Sequence, residues 1–203
     1  MGNLKMRFQV AGALSVVLLG ACAATDSLEA LPVSTGAPVI EESAFAKDFG
    51  MLADLAGTRW YGEPGEADKQ HGQPADYSEW YWDLGGAVLV NRHVLADGSY
   101  GGVTYVQKNQ ASGKLDYVYI TSAGFRTSGS FTLNKDDSWT AYEEVTGLAD
   151  IIGVRSTGRL TEDGALVSVS EFETQDGWKP GHEFRYEPTS GPMPDLVPNL
   201  EIE

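Results

Sequence analysis

The 203-residue chain carries 14 Lys and Arg against 29 Asp and Glu, a formal net charge of −15 at pH 7. Such a balance disfavours nucleic acid and anionic membrane surfaces as partners. The single cysteine, Cys22, rules out a disulfide framework within the chain, so any core must hold without covalent staples.

The first elements, in chain order, are those of an export leader. Lys5 and Arg7 form a short positive region, and an apolar run follows from Val10 to Leu19. A run of this kind is too short to span a bilayer, which takes about 20 residues, and it matches the apolar centre of a signal peptide. Leu19-Gly20-Ala21-Cys22 resembles the lipobox of bacterial lipoproteins. The resemblance implies cleavage after Ala21 and a lipid-bearing Cys22, so membrane lipid is an expected partner. Loss of residues 1–21 would make the net charge two units more negative, since the leader holds Lys5 and Arg7 and no acid. Several acyl chains anchor a protein lastingly where one does not. Ala23, rather than Asp, after the cysteine implies the outer membrane, facing the periplasm, by analogy with enterobacterial sorting.

Residues 22–43 read as a flexible tether, small and polar, with Pro32 and Pro38. Ser43 then suits an N-cap. Phe45, Phe49, Leu52 and Leu55 recur at helical spacing before Gly57, which predicts one short amphipathic helix over 44–56. Beyond it, β-branched and aromatic runs alternate with glycine-containing turns, and no proline occurs between Pro74 and Pro180. The pattern predicts about ten strands: 58–62, 76–83, 87–95, 100–108, 114–121, 125–133, 138–146, 151–160, 165–174 and 179–187. Short, neighbour-linked strands with no room for long crossovers predict an all-β, antiparallel up-and-down barrel over 44–187. Residues 188–203, with four prolines, read as an extended tail.

One short helix, then Gly57-Thr58-Arg59-Trp60-Tyr61-Gly62, then a meander of strands: this resembles the calycin superfamily, which includes lipocalins, fatty-acid-binding proteins and nitrobindin-like haem-binding barrels. Arg59 is an extra residue relative to the Gly-Thr-Trp opening of the nitrobindin-like members. The resemblance implies a lumen that binds a small molecule.

Strand alternation assigns side chains to faces. His182, Phe184 and Tyr186 share the apolar face of the last strand and are expected to point inward. Trp139 and Glu143 share a face of strand 138–146. Arg92 falls with Val88, Val90 and Val94, and Tyr105 with Val103, so both are expected inside as well. Arg92 and Glu143 should then pair with each other or with a ligand, because unpaired charge inside a barrel is costly. Trp80, Trp82 and Tyr117 complete the candidate lumen, although parity does not separate the faces of their strands.

Three functions follow. The first is an envelope-anchored barrel that binds a small, partly apolar ligand through these ten residues, with no cofactor. The second is a haem-binding barrel with His182 as axial ligand, as the family resemblance implies. The third is a filled-core module for protein interaction. No Ser/His/Asp order, phosphate loop or metal-spaced cluster stands out, so nothing in the sequence asks for catalysis.

Overall fold

The computed structural model describes residues 43–197. Cys22, the leader and most of the tether lie outside the described residues, as does the end of the tail.

Ten antiparallel strands close into a barrel, each hydrogen-bonded to its sequence neighbours and the last to the first. They are β1 (Arg59–Pro64), β2 (Asp76–Asp83), β3 (Val88–Leu95), β4 (Gly101–Lys108), β5 (Leu115–Thr121), β6 (Arg126–Leu133), β7 (Ser138–Thr146), β8 (Gly153–Leu160), β9 (Leu166–Thr174) and β10 (Gly177–Pro188). The all-β, up-and-down architecture is the one the turn spacing predicts. Closure leaves no unpaired edge, which would otherwise invite pairing with another chain.

The expected helix over 44–56 forms in two pieces. A short α-helix, α1 (Ala46–Phe49), runs into a 3-10 segment (Gly50–Leu55). Gly50 takes a positive φ of 52° at the junction, and a β-carbon there would lie 2.9 Å from the Leu133 side chain. The glycine therefore breaks the helix and lets it lie across the barrel end. Ser43 does not cap the helix. Its hydroxyl accepts from Phe45 N–H and donates to the Gly86 carbonyl, tying the chain to the β2–β3 turn.

This segment plugs the lower end. Phe49, Leu52 and Leu55 are almost fully buried against Trp60, Trp82, Leu89, Val106 and Leu115. Phe49 meets Trp82 edge-on at 4.9 Å between ring centres. Each such side chain contributes about 1.5–3 kcal/mol relative to exposure.

A second helix, α2 (Glu66–Gln70), joins β1 to β2 at the upper end. It buries none of its residues, so it carries no apolar periodicity to betray it. Opposite it, the register of β9 against β10 shifts between Pro180 and Glu183. Pro180 brings no N–H to the ladder, and such a bulge bends its strand and re-aims side chains. Here the bend brings β10 to α2: Asp68 accepts a hydrogen bond from the Glu183 amide at 2.9 Å.

Candidate functional site

Inward-facing glycines make room for large rings. A β-carbon on Gly62, Gly102 or Gly158 would lie 2.3–2.4 Å from the rings of Tyr186, Tyr119 and Trp139 respectively. Each ring is therefore seated against bare backbone on the neighbouring strand, and the wall stays thin enough to leave space in the middle.

Above the plug, the lumen opens into two adjoining chambers. The deeper, of about 240 Å³, is lined by Trp80, Tyr117, Phe131 and Trp139. The outer, of about 660 Å³, is lined by Phe125, Val145, Leu148, Phe172, His182 and Phe184. Asp76, His93, Tyr119, Glu143, Ser156, Ser168 and Tyr186 line both. The outer volume falls in the range of roughly 300–1,000 Å³ usual for small-molecule sites.

The shared wall carries a chain of matched polar groups. Asp76, 2% exposed, accepts from Tyr186 Oη at 2.9 Å, and its other oxygen lies 2.9 Å from Nδ1 of His93. Nε2 of His93 lies 2.7 Å from Tyr119 Oη, which lies 2.6 Å from Tyr100 Oη. With a carboxylate at Asp76, donation from Nδ1 leaves Nε2 to accept from Tyr119, which in turn accepts from Tyr100. Every link is then satisfied within the protein, as buried polar groups require. Burial pushes the Tyr119 phenol far above its ordinary range and raises that of Tyr100, so both remain hydroxyl donors. The line fixes the orientation of two hydroxyls beside the cavity.

Glu143 stands apart from this chain. Its carboxylate accepts from the Thr127 hydroxyl, and Tyr117 is its other polar neighbour. Burial raises its pKa, and the bonds from Thr127 and Tyr117 offset this only in part. Trp80, on β2 across the deeper chamber from Glu143, has a buried indole N–H with no acceptor among the described residues.

At the mouth, His182 Nδ1 lies 2.8 Å from Asp68 Oδ1, and its ring meets Phe172 at 5.5 Å and Phe184 at 6.3 Å between centres. Burial alone would raise the Asp68 carboxyl. The Glu183 amide and His182 hold it below its usual value instead.

Of the ten candidate lumen residues, the structure brings Trp80, Tyr117, Trp139, Glu143, His182, Phe184 and Tyr186 to the cavity wall. Trp82 points inward too, but into the packed plug beside Phe49. Arg92 and Tyr105 are corrected. Arg92 faces outward and pairs with Glu79 at 3.6 Å, next to the Arg59–Glu79 pair at 3.2 Å; it does not meet Glu143. Tyr105 is 43% exposed on the outer face. The error lies in equating the valine face of β3 with the inner one. Val90 and Val94 are fully buried although they share the outer face with Arg92. Val90 sits between its cross-strand partners Tyr81 and Tyr105. Leu196 of the C-terminal segment reaches Gly101, the partner of Val94, and Val197 N–H bonds the Gly98 carbonyl.

Asp76, His93, Tyr100 and Tyr119 escape the sequence reading. For His93 the signal is the alternation Leu89, Asn91, His93, Leu95, which competes with the more apolar valine face of the same strand.

No family model matches the chain, and no curated protein is significantly similar to it.

Proposed function

We propose that the barrel binds a small, partly apolar molecule in its upper lumen, and that Cys22 holds it to the cell envelope as a lipoprotein. The observation that carries the binding reading is the contrast within one lumen. The lower end is packed shut by α1 and the 3-10 segment, while the upper end keeps two chambers walled by aromatic rings and oriented hydroxyls. A core meant only to be filled has no use for seven inward polar groups around a space of this size.

Haem suits this lumen poorly. The chamber walls hold Asp76 and Glu143 and no lysine or arginine, so the two propionates would meet carboxylates without a counter-charge.

The binding reading is tested by native mass spectrometry of full-length protein purified from its natural host. A stoichiometric co-purifying mass is expected, and it should disappear in Ser168→Trp, which places a large ring where both chambers meet. A ligand retained by that variant would move binding out of the lumen.

Anchoring rests on the sequence around Cys22. No helix among the described residues is long and apolar enough to cross a membrane. Expression with labelled palmitate should mark the wild type and leave Cys22→Ala unlabelled and released from the membrane fraction. Equal membrane retention of the variant would overturn the anchor.

A further inference from the structure

We propose that the guest of this barrel is a small organic cation, an amine on an apolar or aromatic frame, bound with its charge against Glu143. This rests on the lumen-binding reading above and narrows it to a chemical class.

The starting point is a difference between the two acids of the wall. Asp76 is closed on both oxygens, by His93 on one and Tyr186 on the other. The hydrogen-bond partners of the Glu143 carboxylate are hydroxyl groups, those of Thr127 and Tyr117, and it takes part in no ion pair among the described residues. Hydroxyl donors orient a carboxylate but leave its charge unbalanced. A buried anion in that condition is costly, and a guest ammonium group would supply the missing counter-charge and a charge-assisted hydrogen bond.

The surroundings fit the rest of such a molecule. Tyr117, Phe131 and Trp139 form one aromatic cluster beside Glu143, with ring centres 4.5 and 5.2 Å apart. Aromatic faces attract cations, more strongly when water is excluded. The deeper chamber, of about 240 Å³, holds a one- or two-ring frame, and the outer one admits a longer tail. A bare metal ion lacks a set of ligands: no group of three His, Cys, Asp or Glu side chains among the described residues could hold one. Carboxylates and phosphates would find no lysine or arginine on the walls. The net charge of −15 also enriches cations around the protein and speeds their arrival. The partnerless Trp80 N–H adds a place for an oxygen acceptor on the guest.

Isothermal titration calorimetry of the full-length protein at pH 7 tests this with matched probes: an amine, an alcohol and a carboxylate on each of three frames, phenylethyl, indolylethyl and n-octyl. On at least one frame the amine should bind saturably and at least ten-fold more tightly than the alcohol, with the carboxylate weakest. Glu143→Gln should remove most of that preference and leave the alcohol's affinity unchanged. Alcohols or carboxylates binding as tightly as amines would overturn the cation assignment and leave lumen binding standing. So would an amine preference that persists in Glu143→Gln. The wild-type ranking decides the matter even if that variant does not fold. If none of the nine probes binds, the lumen-binding reading falls together with the proposal.

Discussion

Around Phe49 the barrel is solid; around Glu143 it is not. At the lower end Phe49, Leu52, Leu55 and Leu89 touch one another with almost no residual exposure. At the upper end rings of comparable size, Phe125, Phe172 and Phe184, face open space. Both ends are made of inward residues from the same strands, so strand register does not separate them. The difference comes from what enters each end. The lower end receives an apolar segment with three nearly buried side chains. The upper end receives α2, whose five residues contribute none to the core. Stability is therefore concentrated at the bottom, and the top is left free to carry a site.

The largest expected effect follows directly. Phe49→Ala should cost about 3–5 kcal/mol, the usual range for emptying a packed aromatic position. Phe184→Ala, whose ring already faces a chamber, should cost well under half as much. Urea unfolding of the two variants checks the contrast. Equal losses would mean that the upper lumen is as tightly held as the lower, and the division drawn here would fail.

A smaller effect, of opposite sign, should come from the charge at the top. Burial raises the Glu143 carboxyl pKa, so the folded protein holds that proton more tightly than the unfolded chain does. The stability gained from holding it is fully present below the unfolded value and is lost as pH rises through the raised one. Glu143→Gln removes this loss. The variant should match the wild type in acid and exceed it at neutral pH by an amount on the order of 1 kcal/mol, the usual scale for a single change. Asp76 and His93 also face this space and are common to both chains, so they cancel in the difference to first order. Tyr100, Tyr117, Tyr119 and Tyr186 are held neutral, since burial raises every one of them. Melting temperatures of the two proteins across acid to neutral pH give the test. A gap that widens toward acid would show that Glu143 gains more from its hydroxyl partners than it loses to burial.

These two ends were unequally legible in the sequence. The strands could be read because the glycine turns fall between runs of β-branched and aromatic residues, and β2 and β7 match their expected bounds. The plug could be read as an amphipathic stretch, although Gly50 divides it. The site was harder, because its residues are polar where a barrel interior is expected to be apolar. His93 is hidden by the rule that the more apolar face points inward, and Asp76 by a strand with aromatics on both faces. The rule holds for β10, whose outer face carries Glu183, Arg185 and Glu187. It fails for β3, where a second layer covers the outside. Covering by Leu196 joins residues about a hundred positions apart, and no local pattern announces it.

The smallest effect belongs to the outside of β3 and tests that last argument. Arg59, Glu79 and Arg92 are cross-strand neighbours on β1, β2 and β3, and they form a partly exposed run of alternating charge on the outer face. Pairs of this kind contribute about 0.2–1 kcal/mol, because solvent screens them and long side chains lose freedom in making them. Arg92→Ala should therefore shift stability by no more than about that amount and should not change the affinity of any lumen ligand. Had Arg92 pointed inward against Glu143, the same change would strip a buried carboxylate of its partner and cost about 3–5 kcal/mol. The two placements differ several-fold in a single unfolding curve, and a loss near the larger figure would return Arg92 to the lumen.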